Sequence, residues 1–152
     1  MKKTISGLAV AAALVASGAI AQQPVKIGLI LPYSGQFADT ATQMDNAIKL
    51  YVKQHGDTAG GRKIEIIRKD SGGIAPDVAK RLAQELVVRD KVDVLTGLIL
   101  TPNALAIADV SAEAKKFTVI MNAATSIITT KSPYMARVSV TTPMLNESLG
   151  TW

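Results

Sequence analysis

Short apolar runs alternate with longer segments of helical periodicity along most of this chain, and this alternation restricts the fold more than any other feature. Runs rich in β-branched residues are predicted as strands, at 25–31, 63–69, 92–96 and 117–121. Apolar residues spaced three or four apart predict intervening helices, at about 40–55, from 76 onward and over 102–116. A β-α-β order implies parallel strands joined by right-handed crossovers. The predicted fold is therefore α/β: a parallel sheet with helices on both faces.

Turn residues follow the predicted strands. Pro32 to Gly35 come after the first strand, and Asp70 to Gly73 come after the second. Pro76 and Asp77 predict the start of a helix, because proline fits the first turn and an acid is favourable at the positive helix end. Beyond the fourth strand, residues 135–140 are also predicted to be extended. The nearly continuous apolar strands are typical of a sheet that is buried on both sides.

The N-terminal 21 residues have the three parts of an export signal. Lys2 and Lys3 supply a positive start, and residues 5–20 are apolar. Ala19-Ile20-Ala21 then fits the pattern that signal peptidase cuts after, so the mature chain is predicted to start at Gln22. A membrane anchor is the alternative, but the apolar stretch is short for one and is diluted by serine and glycine.

Composition excludes several classes of function. The chain has no cysteine, which excludes disulfides, thiol catalysis and lipid attachment at a cysteine. Its formal net charge is +5, and without Lys2 and Lys3 it retains 15 basic and 12 acidic side chains. These charges are interspersed rather than grouped in a run. We therefore expect no nucleic-acid partner.

The motifs of common enzymes are missing from the sequence. It contains neither a G-x-S-x-G elbow nor an H-E-x-x-H metal motif, and its only histidine, His55, falls near a predicted helix end. Gly72-Gly73 lacks the G-K-[ST] of a phosphate-binding loop, and the first strand lacks G-x-G-x-x-G. Acidic residues are scattered singly, without calcium-loop spacing. We predict that the chain is not an enzyme and has no catalytic residues, metal site or cofactor.

Polar and small residues collect after three of the predicted strands. In an open parallel α/β sheet, ligands bind outside the carboxyl ends of the strands. The segments there are 32–39, 98–103 and 122–126, and they combine hydroxyl, amide and small side chains. Small residues allow backbone N–H groups to approach a ligand, and a carboxylate is favoured at a helix N-terminus. The hydroxyl, amide and small residues are Tyr33, Ser34, Gly35, Thr101, Asn103, Asn122, Ala123, Ala124, Thr125 and Ser126.

Several short motifs, in a fixed order, resemble one known family. They are Lys26-Ile27-Gly28-Leu29 with Pro32-x-Ser34-Gly35, the Asp70 loop with Pro76 to Ala79, Gly97 after Val92-Asp93-Val94, and Ala123-Ala124-Thr125. With these motifs the chain resembles the periplasmic leucine/isoleucine/valine-type (branched-chain amino acid) substrate-binding proteins of ABC transporters. The resemblance covers residues 22–152.

The resemblance implies a type I periplasmic binding fold, in which two α/β lobes close on a ligand. It implies capture of a branched-chain amino acid or a related small carboxylate, amide or aromatic acid, and delivery to ABC permease membrane subunits. The ligand's polar groups would meet the segment of Thr101, Pro102 and Asn103, together with Ala123 and Thr125. The loop from Tyr33 and Ser34 to Thr40 would line the pocket wall. The implied location is the periplasm, reached through the cleaved signal.

One departure bears on the ligand. Family members that bind aliphatic amino acids tend to have a serine-rich stretch where this chain has Leu100-Thr101-Pro102-Asn103. Pro102 has no N–H group to donate. This difference leaves room for an aromatic or other carboxylate.

The resemblance also divides the chain. Residues 1–21 are the predicted signal, 22–139 a partial N-terminal lobe, and 140–152 the start of the crossover into a second lobe, with a helix beginning near 145. Family members are more than twice as long, so the chain is predicted to be an N-terminal fragment with incomplete lobe one and weak ligand binding of its own. Two alternatives remain open: a sensory or regulatory module on the same fold, and a secreted α/β enzyme whose catalytic residues lie beyond Trp152.

Overall fold

The strands of the chain form one six-stranded sheet in the computed structural model, which describes residues 22–150. They are β1 (Val25–Leu31), β2 (Thr58–Ala59), β3 (Arg62–Asp70), β4 (Val94–Gly97), β5 (Phe117–Ile120) and β6 (Met135–Arg137). Their order across the sheet is β2-β3-β1-β4-β5-β6. All neighbours are parallel except β2, which pairs antiparallel with β3. The predicted α/β class and parallel sheet are confirmed, whereas the predicted export signal lies outside the described residues.

The helices are α1 (Ala38–His55), α2 (Pro76–Val88), α3 (Thr101–Glu113) and α4 (Thr142–Gly150), with short 3-10 helices at Gly35–Phe37 and Ser126–Thr130. α1 and α3 lie within three residues of the predicted bounds at each end, and α2 begins at the predicted Pro76. α3 ends before the predicted residue 116, because Lys115 adopts a left-handed φ of 50° that cannot continue a helix. Within residues 22–150, no helix is both long and apolar enough to cross a membrane.

Right-handed crossovers distribute the first three helices over both faces of the sheet. The chain steps from β1 to β3 in one direction, then passes β1 to reach β4 and β5 in the other. Connections of the same hand that run in opposite directions lie on opposite faces. α1 therefore covers one face alone, while α2 and α3 pack together on the other.

The central strand shows how both faces are buried. Successive side chains of a strand point to opposite sides, and β1 follows this rule. Ile30 packs in the cluster formed with α2 and α3, whereas Leu29 and Leu31 pack in the cluster beneath α1. All three side chains are buried. Gly28 lets α2 lie close, because a Cβ at this position would be 2.9 Å from a methyl carbon of Leu86.

The α1 face is covered less completely than the other. A groove of about 420 Å³ opens beside α1, and we call it the α1 groove. It is lined by Ile27, Met44, Ala47, Ile48, Tyr51, Val52, Ile64, Ile66 and Met121. A neighbouring hollow of about 270 Å³ shares part of this lining and extends to Thr96, Val119 and Val138. The chain thus presents a continuous apolar surface on this side of the sheet.

Candidate functional site

Three predicted loops lie along one edge of the sheet, which we call the carboxyl rim. Strands β1, β4 and β5 are neighbours, and the register aligns Ile30 with Gly97 and Gly97 with Ile120. The chain reverses its direction of travel across the sheet between β1 and β4, so their carboxyl ends form a topological switch point. The structure therefore brings together the segments that follow these strands, as the sequence predicts.

Backbone hydrogen bonds connect the loop after β4 to β1 and to the loop after β5. Leu98 donates its N–H to the Ile30 carbonyl at 3.1 Å, and Ala123 donates to the Leu98 carbonyl at 3.0 Å. Gly97 and Leu98 both have positive φ angles, of 103° and 58°. A left-handed conformation is costly for leucine, by about 1–2 kcal/mol, and it persists here with the Leu98 side chain fully buried. The packed core holds this sharp turn at the rim.

Two threonine hydroxyls meet at the rim. Thr101 is the first residue of α3 and Thr125 lies in the loop after β5, and their Oγ1 atoms are 2.9 Å apart. Both residues are half-buried. A hydroxyl has one donor and two acceptor positions, so this pair can still bind a polar group of a ligand.

Neighbouring residues donate hydrogen bonds to the carbonyl groups of the loop after β5. Arg137 of β6 donates from Nε to the Ala123 carbonyl at 3.0 Å and from Nη2 to the Thr125 carbonyl at 2.5 Å. The Thr142 N–H donates to the Ala124 carbonyl at 2.9 Å. Within the described part of the chain, the N–H groups of Ala124 and Thr125 make no hydrogen bond. Arg137, which was not among the predicted site residues, fixes the position of the backbone that carries these N–H groups.

Asp70, at the end of β3, binds the loop after β1. Its Oδ1 accepts hydrogen bonds from the N–H groups of Tyr33 at 2.8 Å, Ser34 at 3.3 Å and Gly72 at 2.8 Å. Burial opposes ionisation, but the Ser34 hydroxyl and these N–H groups outweigh it and hold the pKa of Asp70 below its ordinary value. The carboxylate therefore stays ionised near neutral pH, and its Oδ1 atom is bonded within the protein.

Asn103 lies behind the rim rather than in it. Its side chain is 3% exposed. Its Oδ1 accepts a hydrogen bond from the Ala75 N–H at 3.0 Å, and its Nδ2 donates to the Gly73 carbonyl at 2.8 Å. The Asn103 side chain, predicted from sequence as a ligand contact, is thus already bonded to the loop after β3.

The remaining predicted site residues are placed in different surroundings. Tyr33 packs against the cluster beneath α1. Burial and the Asp45 charge raise the pKa of Tyr33 to about 12, and its hydroxyl makes no well-formed hydrogen bond within residues 22–150. Ser34, Thr40 and Pro102 are exposed, with Thr40 on the first turn of α1 and Pro102 on the first turn of α3.

A buried carboxylate with two cationic partners lies near the Tyr33 hydroxyl. Asp45 of α1 is 4% exposed and accepts hydrogen bonds from Arg68 Nε and Lys49 Nζ, each at 2.7 Å. Burial raises the pKa of Asp45, but Lys49 and Arg68 outweigh that effect and lower it. These ion pairs are not predicted from the sequence. The available signal was the spacing, because Asp45 lies four residues after Ala41 on the inward side of α1.

Comparison with known proteins agrees with this arrangement. The model of the periplasmic binding protein family matches residues 24–152. A Leu/Ile/Val-binding protein homolog 6 from Brucella abortus (strain 2308) is 39% identical over 140 residues, which are 92% of this chain and 36% of that protein. The chain therefore spans about a third of the length of this relative.

Solved structures show the same similarity. A solute-binding protein of an ABC transporter from Rhodopseudomonas palustris BisB5, in complex with 3,4-dihydroxybenzoic acid, is 54% identical with a TM-score of 0.75 over 78% of this chain and 32% of that chain. A second R. palustris solute-binding protein, in complex with 4-hydroxybenzoate, is 38% identical with a TM-score of 0.75 over 84% and 36%. With its parallel sheet, its rim of hydroxyl and small residues at the switch point, and these relatives, the chain belongs to the periplasmic binding protein family.

Proposed function

We propose that the chain forms the first lobe of a two-lobe solute-binding component of an ABC importer. It captures a small carboxylate at the carboxyl rim and delivers it to the permease membrane subunits. The proposal includes export to the periplasm with cleavage after Ala21. The observation that carries it is the meeting of the Thr101 and Thr125 hydroxyls, 2.9 Å apart, at the switch point of the sheet.

The rim supplies the donors that a carboxylate needs. Hydroxyl groups of Thr101 and Thr125 lie beside the unbonded N–H groups of Ala124 and Thr125. The first turn of α3 adds the positive end of a helix dipole. The Ala123 side chain, predicted as a ligand contact, is 1% exposed and packs in the core cluster with α2 and α3. In this proposal it supports the loop from within, and Ser34 and Thr40 line the wall of the cleft. Neutral donors of this kind bind an anion and release it readily, as transport requires.

The ligand is proposed to be an aromatic acid of the hydroxybenzoate class. An amino acid carries an ammonium group that favours an anionic acceptor, but the proposed ligand contacts Ser34, Thr101 and Thr125 carry no charge. An aromatic acid has no ammonium group. Pro102 removes one donor from the start of α3 and adds apolar surface beside the threonines. The ligands in the two R. palustris complexes belong to this class.

The proposal is tested with the full-length protein from the gene that encodes this chain. Thermal unfolding is followed with 4-hydroxybenzoate, 3,4-dihydroxybenzoate, benzoate or leucine, and affinities are measured by calorimetry. We expect the hydroxybenzoates to raise Tm and leucine to leave it unchanged. Thr125→Val, which keeps the side-chain shape, is expected to weaken 4-hydroxybenzoate binding about tenfold.

The same experiment can contradict the proposal. Stabilisation by leucine alone would replace the aromatic class with aliphatic amino acids. Stabilisation by none of the compounds would leave the capture of these carboxylates without support. Loss of radiolabelled 4-hydroxybenzoate uptake in a strain lacking the gene tests the transport role separately.

A further inference from the structure

The loop after β3, residues 71–75, lies against two of the loops that form the rim. It contains none of the residues that the sequence predicts to touch a ligand. Its backbone is bonded at one end by Asp70 and at the other by Asn103. The segment therefore lies between the loop after β1 and the start of α3 and is bonded to residues at both of its ends.

Asp70 joins the loop after β3 to the loop after β1. One carboxylate oxygen accepts the N–H groups of Tyr33 and Ser34 on one side and of Gly72 on the other. The two backbones are in close contact, because a Cβ at Gly35 would lie 3.0 Å from the Gly72 carbonyl oxygen. Hydrogen bonds to an ionised acceptor are about twice as strong as neutral ones. The loop after β1 is therefore fixed to its neighbour through Asp70.

Asn103 joins the same loop to α3. Its Nδ2 donates to the Gly73 carbonyl at 2.8 Å, and its Oδ1 accepts a hydrogen bond from the Ala75 N–H at 3.0 Å. The side chain is buried, so losing either bond would leave a polar group without a partner in the interior. Thr101, two residues earlier on the same helix turn, is bonded to Thr125. Asn103 thus couples the loop after β3 to the threonine pair.

We propose that Asp70 and Asn103 are positioning residues that tie the loop after β1, the loop after β3 and the start of α3 into one unit. Neither side chain touches the ligand. They act by holding Ser34 and Thr101 in place before binding, which lowers the ordering that a ligand must impose. This inference rests on the proposed function only for its effect on affinity. The coupling between the loops is a property of the protein without ligand.

The test uses Asp70→Ala, Asn103→Ala and the double variant of the full-length protein, with 4-hydroxybenzoate as the probe. Each single variant is expected to weaken affinity about tenfold. The double variant is expected to weaken it by clearly less than the product of the two, because both act through one loop. Asp70→Asn keeps an acceptor oxygen and is expected to restore most of the affinity lost in Asp70→Ala.

Hydrogen exchange of the protein without ligand gives a second readout. Asp70→Ala and Asn103→Ala are both expected to speed exchange at the Tyr33 and Gly72 amides, although Asn103 bonds to neither. Two matched controls remove similar bonds at the opposite edge. Asp93 accepts the Lys26 N–H at 2.9 Å, and Ser111, further along α3, donates to the Lys116 carbonyl at 3.0 Å. Asp93→Ala and Ser111→Ala are expected to leave exchange at Tyr33 and Gly72 unchanged.

The outcomes separate the two proposals. If the wild-type protein binds none of the carboxylates, the proposed function fails. The coupling of the loops is then tested by amide exchange alone: faster exchange at Tyr33 and Gly72 in both alanine variants supports it, and unchanged exchange refutes it. If the wild type binds but both alanine variants bind equally well, the positioning role is refuted. Strictly multiplicative effects in the double variant, or equal effects from the Asp93 and Ser111 controls, would also refute it.

Discussion

At the carboxyl end of β4, one residue sets how closely two neighbouring backbones approach. Gly97 has a φ of 103°, and a Cβ there would overlap the Ile30 carbonyl oxygen. No rotamer change relieves this overlap, because the atom it meets is backbone. The same turn brings the Leu98 N–H to the Ile30 carbonyl and so connects the loop after β4 to the end of β1.

Gly97→Ala is therefore expected to lower the free energy of unfolding by more than about 4 kcal/mol, measured by urea denaturation. Gly56→Ala is the matched control, since Gly56 has a φ of 86° but no atom within 4 Å of the place where a Cβ would lie. It should cost only the conformational penalty of about 1–3 kcal/mol. Equal losses from the two substitutions would show that backbone overlap at Gly97 is unimportant.

On the scale of elements, α1 is fastened to the sheet by charge as well as by apolar contacts. Asp45 of α1 bonds to Arg68 of β3 at 2.7 Å, with the carboxylate buried and the guanidinium partly in solvent. The lowered pKa of Asp45 means that folding favours its ionised form. Its contribution to stability is present above the ordinary aspartate pKa of about 4 and is lost as pH falls through the lower folded value.

Asp45→Asn is accordingly expected to reduce stability at pH 7 by about 1–3 kcal/mol. The difference from wild type should shrink as the pH falls below about 4, where the wild-type carboxylate also becomes protonated. Urea midpoints at pH 7 and pH 3 measure both effects. Asp109→Asn is the control, because its bond to Lys80 lies at the surface, with side chains 67% and 42% exposed. A difference for Asp45→Asn that stays constant with pH would contradict this account.

Helices and long strands follow from the sequence because each buries one regular face. The periodic patterns predict α1, α2 and α3 closely, and topology then places the loops after β1, β4 and β5 at one edge. β2 is not predicted, because its two residues are both exposed and are too few to show a hydrophobic pattern. The partners of Asp70, Asn103 and Tyr33 also escape it. Apart from Gly72, which is two residues from Asp70, the hydrogen-bond partners of Asp70 and Asn103 are 28 or more residues away, and the surroundings of Tyr33 are set by packing. Only the tertiary structure therefore determines whether a polar side chain faces the ligand or the protein.

On the scale of the whole molecule, the two faces of the sheet differ in how much of them is covered. The α1 groove and the adjoining hollow expose apolar side chains over β1, β3, β4 and β5. Large contiguous apolar patches promote association with other apolar surfaces. Residues 22–152 expressed alone are therefore expected to bind the dye ANS and to self-associate as concentration rises.

Val138→Lys tests whether this surface is responsible. Val138 is 72% exposed and lines the hollow, so a charge there should reduce ANS fluorescence and shift sedimentation toward the monomer. Val88→Lys is matched in exposure at 74% but lies at the end of α2, on the other face, and should change neither signal. Equal responses to the two substitutions would show that the self-association does not depend on the apolar surface around the α1 groove.

The hydrogen bond from Thr142 to Ala124 has a mechanical consequence. This bond links the start of α4 to the loop after β5. Arg137 of β6 donates hydrogen bonds to the same loop. A displacement of α4 must therefore either break the hydrogen bond between Thr142 and Ala124 or move the loop that contains Thr125. In the proposed function, ligand binding at the rim and the orientation of α4 are therefore expected to be coupled, and by reciprocity each would bias the other to the same extent.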